Sequence, residues 1–172
     1  MTFKKYLPTL VCGFGAAVLS IIPETKDLSC CLIVPGASTI SILLDKKINH
    51  INETVIIKKA LKFGLLTGLF STLFITTFDI LITFITKTND LVKNLPQIEM
   101  IINQINIEPF FAYYLKQVKL SSREIQSTGF SLTYLAIILM NGFIINSIFG
   151  MIGGALGMNL ANRKAREENT DL

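Results

Sequence analysis

Long apolar runs alternate with short polar links along this chain, and the lengths of the runs predict membrane spans. A transmembrane helix takes about 20 mainly apolar residues, and somewhat shorter runs are tolerated. Four segments meet this condition, namely residues 6–22, 28–44, 60–86 and 130–160. The pattern therefore predicts an all-α integral membrane protein with four transmembrane helices.

The connections between the spans refine this layout. Residues 23–27 form a short polar link, so we expect the first two spans to make a tight antiparallel hairpin. Pro35 and Gly36 lie in the middle of the second span, where proline removes a backbone donor and permits a kink.

Residues 90–126 form a sizeable predicted segment outside the spans, and its first part has a helical period. Charged and amide side chains separate apolar ones that recur at steps of four and three. This pattern predicts an amphipathic helix that is too polar to span. Its apolar stripe consists of Leu91, Leu95, Ile98, Ile102 and Ile105.

The second part of this segment predicts a further short helix. Ser121 with Glu124 has the spacing of a capping box, so we expect a helix to begin at Ser121. Residues 90–126 then make a short extracytoplasmic amphipathic helical cap between the third and fourth spans. This cap either covers the outer mouth of the bundle or offers a surface to a partner. Before Ser121 comes an aromatic cluster of the kind that settles at headgroup level, made of Phe110, Phe111, Tyr113 and Tyr114.

Composition agrees with a membrane protein. Hydrophobic residues make up 51% of the chain and charged residues only 16%, and the mean hydropathy is +0.55. In an ordinary soluble domain about a quarter of the residues are charged. We therefore expect a single membrane domain over residues 1–172, with the lipid bilayer as its surroundings. The sequence has no basic patch interleaved with aromatic residues, so a nucleic acid is not an expected partner.

The placement of Lys and Arg predicts the orientation, because cytoplasmic loops carry an excess of both residue types. If the N-terminus is cytoplasmic, most of the 16 basic residues fall on the inner side. We therefore predict that both termini are cytoplasmic. The inner basic residues are then Lys4, Lys5, Lys46, Lys47, Lys58, Lys59, Lys62, Arg163, Lys164 and Arg166.

Asp79 lies deep in the third span, where a carboxylate costs roughly 2.5–3.5 kcal/mol on insertion scales. It belongs to a polar stripe at helical spacing that also contains Gly68, Thr72 and Thr86. Counting residues from the span midpoints places polar residues of the other spans at the same membrane depth as Asp79. At that depth we expect an intramembrane polar cluster. The predicted members of that cluster are Asp79, Asn141, Ser20, Thr76 and Thr83.

Four interpretations of Asp79 stay open. In the first, the carboxyl group is a packing determinant of the bundle, and it is either kept neutral by burial or held by Asn141 and hydroxyls. Alternatively it lies on an ion or proton pathway, or it pairs with a Lys or Arg of a partner subunit. Metal binding with Cys30 and Cys31 is the fourth, although adjacent cysteines lack the spacing of a chelating pair.

Glycines one turn apart let membrane helices approach closely, because no side chain separates the two backbones. The third and fourth spans both carry such spacings. These helix-packing faces serve contacts inside one bundle or contacts between subunits. Their residues are Gly64, Gly68, Gly150, Gly153, Gly154 and Gly157.

The sequence lacks the combinations of residues that catalysis needs. There is no nucleophile with a base and an orienting group, no glycine-rich phosphate loop and no histidine pair, since His50 is the single histidine. We therefore expect no enzyme activity, no catalytic or metal site and no cofactor. Cys12 lies with Cys30 and Cys31 inside or at the edge of predicted spans, unlike a secreted disulfide framework.

In layout the chain resembles a family of uncharacterised bacterial four-span proteins, catalogued as a domain of unknown function. The resemblance rests on the tight first hairpin, on residues 58–68 opening the third span, and on the glycine-rich final span that closes with Asn162-Arg163-Lys164. It implies the topology and a place in the bacterial cytoplasmic (inner) membrane. It implies no activity and no functional residues.

Two function classes follow. The first is a non-enzymatic integral membrane subunit or accessory protein, which packs against itself as a homo-oligomer or joins a larger membrane-protein complex. The second is a small oligomeric channel or transporter with Asp79 on an ion or proton pathway. The surroundings of Asp79 distinguish them, because a hydrated cavity favours transport and side-chain contacts favour packing.

Overall fold

A computed structural model of the chain describes residues 3–26, 28–49, 54–89, 93–94, 96–97, 100 and 110–170. Every regular element within these ranges is helical, so the predicted all-α class is confirmed for the described residues. A single turn, Pro23–Lys26, and a π-helical turn, Ser29–Ile33, join the first two helices. The longer helices are α1 (Phe3–Ser20), α2 (Val34–Ile48), α3 (Ile57–Thr86), α4 (Phe110–Thr128) and α5 (Leu132–Thr170).

Three helical segments are long and apolar enough to cross a membrane. They are Ser29–Ile48, Ile57–Thr86 and Leu132–Arg163, with mean hydropathies of 1.3, 1.9 and 2.1. The apolar part of α1, Tyr6–Ser20, is shorter. At 1.5 Å per residue it is roughly 22 Å long, against about 30 Å for a hydrocarbon core. The second, third and fourth predicted spans thus correspond to apolar helices of spanning length, and the first span stays a prediction.

The connection between α1 and α2 is held by hydroxyl contacts. The Thr25 hydroxyl donates to the Leu19 carbonyl at 2.5 Å, and the hydroxyls of Ser20 and Ser29 contact each other. The π-helical turn then leads into α2, where Pro35 occupies the first turn. Proline is tolerated there because the first backbone N–H groups of a helix have no intrahelical acceptor. Helix α2 therefore begins one residue before Pro35, directly after the π-helical turn. This is the place where the sequence permits a kink.

The described residues fall into two compact units. The first unit consists of Met1–Ile75 with Met140–Leu172, and the second of Thr76–Leu139. In the first unit α1 packs against α2. An apolar cluster in the same unit joins the end of α2, the start of α3 and the last turns of α5. Its buried members are Ile42, Val55, Ala60, Phe63 and Ala161.

Helix α4 corrects one prediction about the segment between the long helices. Ser121 does not begin a helix, because α4 runs without interruption from Phe110 to Thr128 and Ser121 is fully buried in its middle. Val118 and Ile125 are also buried, so Ser121 continues their helical stripe. The predicted capping box is therefore wrong. The predicted stripe of residues 91–105 lies outside the described residues, and the outer cap stays a prediction.

The actual helix boundary lies a few residues later in the same unit. Gly129 has φ +80, a left-handed conformation in which glycine ends a helix without strain. Its N–H donates to the Ile125 carbonyl at 2.8 Å. Helix α5 begins just after Ser131, whose hydroxyl accepts a hydrogen bond from the Tyr134 N–H at 3.3 Å. Ser131 thus caps α5 in the way that was expected of Ser121.

Candidate functional site

Beside its apolar cluster, the first unit buries many polar side chains and exposes large apolar ones. Many buried side chains carry hydroxyls, among them Ser38, Ser41, Thr67 and Ser71, each with 0% of its surface exposed. The outer face of α5, by contrast, is an apolar stripe, with a large exposed apolar residue at every fourth position. Such a surface is costly in water and stable in lipid. The stripe consists of Met140, Ile144, Ile148, Ile152, Leu156 and Leu160.

The inner face of α5 carries small residues and meets the backbones of two other helices. A Cβ atom on Gly64 of α3 would collide with the carbonyl oxygen of Gly150, and one on Gly68 would collide with that of Asn146. Gly154 faces the Ala60 carbonyl in the same way. We call this α3–α5 contact the glycine seam. Its close approach removes the space for any side chain between the two backbones.

The neighbouring glycines of α5 face α2. A Cβ atom on Gly153 would collide with the backbone of Pro35, and one on Gly157 would meet Thr39 at 3.0 Å. The Thr39 hydroxyl donates to the Gly153 carbonyl at 2.8 Å. The two overlapping glycine spacings in α5 therefore serve two different helices, and all of these contacts lie within one chain.

Polar side chains next to the seam form hydrogen bonds within the unit. The Thr67 hydroxyl donates to the Phe63 carbonyl at 2.9 Å, and that of Thr72 donates to the Gly68 carbonyl at 3.0 Å. The Asn146 amide then donates to the Thr72 hydroxyl at 2.9 Å and joins α5 to α3. Bonds of this kind between membrane helices contribute about 0.6 kcal/mol on average.

Asn146 was not among the predicted members of the polar cluster, which included Asn141 instead. Asn146 is 8% exposed, whereas Asn141 lies on the exposed side of α5. The sequence did contain an indication that Asn146 is buried. Asn146 lies one turn from both Gly142 and Gly150, so it shares the small-residue face of α5. Counting depth from span midpoints ignores which face of the helix a residue occupies.

In the second unit, Asp79 is held by a phenol. The Tyr134 hydroxyl donates to the Asp79 carboxyl group at 2.6 Å. Thr83, one turn along α3, is 3% exposed and lines a narrow crevice beside Tyr134 and Ser131. No sequence pattern pointed to Tyr134 as the partner, because a tyrosine near a span end is equally typical of the membrane interface.

The predicted polar cluster is divided between the two units. Thr76 and Thr83 lie with Asp79 on α3 in the second unit, and both threonines are buried. Ser20 belongs to the first unit, where its hydroxyl donates to the Ala16 carbonyl at 2.7 Å. Asn141 also belongs to the first unit and is exposed. A meeting of all five side chains therefore stays a prediction.

A buried ion pair joins α2 to α3. Lys59 Nζ lies 2.6 Å from Asp45 Oδ2, and the Asp45 side chain is only 4% exposed. The Asn49 amide donates to the other carboxylate oxygen at 2.8 Å. The predicted second span ended at residue 44, one residue before Asp45. The signal was its spacing from Ser38 and Ser41, because steps of three and four put all three on one face of α2.

The ends of three helices are tied together beside this ion pair. The Lys46 ammonium donates to the Ala161 carbonyl at 3.0 Å. Asn162 both accepts from the Val55 N–H at 2.8 Å and donates to the Val55 carbonyl at 3.2 Å. These bonds hold α5, nine residues before its end, against the last turn of α2 and against the residues that precede α3.

Metal binding gains no support from the described residues, among which no group of three or more His, Cys, Asp or Glu side chains could hold an ion. Cys30 and Cys31 are free thiols whose sulfur atoms lie 3.6 Å apart. No protein-family model, curated protein or solved structure matches the chain. The resemblance to a four-span bacterial family stays a prediction.

Proposed function

We propose that the chain is a non-enzymatic integral membrane subunit or accessory protein, whose helices pack within one bundle and against copies of itself or a larger membrane complex. The observation that carries this proposal is the glycine seam between α3 and α5, with the Asn146–Thr72 hydrogen bond beside it. Backbone contact through glycine is how helices associate when lipid offers no hydrophobic drive. The interior of the bundle is thus specialised for packing.

The runner-up is a small oligomeric channel or transporter with Asp79 on the pathway. The contact between Asp79 and the Tyr134 hydroxyl favours the packing role, because a side-chain partner is what a structural carboxylate requires. Proton or cation flux through purified protein in vesicles separates the two classes. The packing role predicts no flux that depends on Asp79.

We further propose four spans, with α1 as the first, both termini on the cytoplasmic side of the inner membrane, and α4 outside. Support for α1 as a span comes from its exposed apolar stripe, which recurs at steps of four and three. A helix with such a face is stabilised by lipid contact. The stripe consists of Leu7, Val11, Phe14 and Val18, which are 42%, 50%, 46% and 43% exposed.

Cysteine labelling tests this topology. In a background with Cys12, Cys30 and Cys31 changed to serine, Asn169→Cys is expected to react with a membrane-impermeant maleimide only after the cells are permeabilised. Asn103→Cys, which lies between the third and fourth spans, is expected to react in intact cells. Labelling of Asn169→Cys in intact cells would show that the C-terminus is outside.

A further inference from the structure

Basic side chains gather at one end of the first unit, where α2 ends, α3 begins and the apolar part of α5 ends. The Lys46–Ala161 and Val55–Asn162 hydrogen bonds bring these three helix ends together. The Lys62 ammonium lies 5.3 Å from the centre of the Tyr6 ring, which adds α1 to the same end. We call the five basic residues here the basic rim: Lys46, Lys47, Lys58, Lys62 and Arg163.

The positive charge of the basic rim is not compensated by the side chains that the structure describes at this end. The only acidic one among them is Asp45, which is buried and paired with Lys59. Lys47, Lys58, Lys62 and Arg163 are exposed. Because Lys58 and Lys62 are one turn apart on α3, both ammonium groups project from the same side of the helix.

The surroundings of the basic rim are apolar. Large aliphatic side chains next to the basic residues in sequence are also exposed, so this end of the first unit presents hydrocarbon as well as charge. A soluble anion would use only the charges, whereas a lipid would use both parts. These aliphatic residues are Ile48, Ile56, Ile57, Leu61 and Leu160, which are 49%, 68%, 44%, 38% and 47% exposed.

We propose that the basic rim is a binding site for the phosphate headgroup of an anionic phospholipid, with the acyl chains lying along the adjoining aliphatic side chains. Arg163 offers planar paired donors that match phosphate oxygens, and Lys58 and Lys62 add compact positive charges. The inference rests on the proposed membrane embedding. It goes beyond the membrane embedding because it assigns a specific ligand to this end of the bundle.

The test uses the full chain purified in a neutral detergent and titrated with phosphatidylglycerol, with bound lipid counted by native mass spectrometry. The variant combines Lys58→Gln, Lys62→Gln and Arg163→Gln. Each basic residue near an anionic membrane contributes about fivefold in affinity, so the loss of three should raise the half-saturating lipid concentration roughly 100-fold. Phosphatidylcholine with the same acyl chains should bind the wild-type protein weakly.

A matched control removes three positive charges from α4 by combining Lys116→Gln, Lys119→Gln and Arg123→Gln, and it should bind phosphatidylglycerol like the wild type. Equal loss in both variants, binding of phosphatidylcholine as tight as phosphatidylglycerol, or full competition by inorganic phosphate would overturn the lipid site. The single variant Lys58→Gln, expected to lose about fivefold, replaces the triple variant if that one unfolds. Recovery of the wild-type chain from the soluble fraction of cells would instead refute the membrane embedding.

Discussion

Replacing Gly64 with alanine is expected to destabilise the bundle by about 1–3 kcal/mol, the usual cost of forcing a methyl group into a tightly packed place. The added Cβ would collide with the Gly150 carbonyl and lie 2.9 Å from Met151 Cα. Both are backbone atoms, so relief requires the two helices to separate. Separation would also strain the Asn146–Thr72 hydrogen bond.

Unfolding in mixed detergent micelles, followed by helical circular dichroism, measures this loss. Gly15→Ala is the matched control, because a Cβ there meets no atom within 4 Å. A helix-interior alanine without such a clash is expected to leave stability unchanged or raise it by up to about 1 kcal/mol. Equal behaviour of the two variants would mean that the glycine seam does not hold α3 against α5.

Replacing Lys59 with methionine is expected to cost about 3 kcal/mol, because it leaves the Asp45 carboxylate buried without its cation. The reverse change, Asp45→Asn, is expected to cost less. It leaves Lys59, whose side chain is 32% exposed, able to reach water. The effect is therefore asymmetric, which a simple loss of one attraction would not produce.

The double variant Asp45→Asn with Lys59→Met completes a thermodynamic cycle in the same unfolding assay. It should be more stable than Lys59→Met alone, because no buried charge is left unpaired. A matched surface variant, Lys58→Met, should unfold like the wild type. Equal costs for Lys59→Met and Asp45→Asn would contradict the buried position of the carboxylate.

The helices and the small-residue faces could be predicted from the sequence, because both depend on local spacing. The apolar runs gave three helices of spanning length, and the chosen glycines of α3 and α5 lie against backbones of neighbouring helices. The spacing of the glycines indicates which helix faces pack closely, because few residues other than glycine fit where two backbones approach each other. Ser121 shows the limit of local spacing, since a capping-box pattern also fits the middle of a helix whose buried face continues through it.

Partners of the polar side chains could not be predicted, because they depend on helix rotation and on depth. Asn141 and Asn146 differ by little more than one turn, yet one is exposed and the other bonds Thr72. Tyr134 reaches Asp79 from near the start of α5, two turns before the residue that depth counting selected. Asp45 pairs with Lys59 because α2 continues past the end of its apolar run.

Ion flux through reconstituted vesicles tests the proposed packing role most directly. Purified wild-type protein, Asp79→Asn and the control Thr86→Ser are placed in vesicles that contain a pH-sensitive dye, and a pH step is applied. The packing role predicts no flux above that of empty vesicles for any of the three proteins. It also predicts that Asp79→Asn unfolds like the wild type, because the amide oxygen still accepts the Tyr134 hydroxyl. Proton flux in the wild type and in Thr86→Ser that is lost in a folded Asp79→Asn would contradict the packing role and establish Asp79 as part of a pathway.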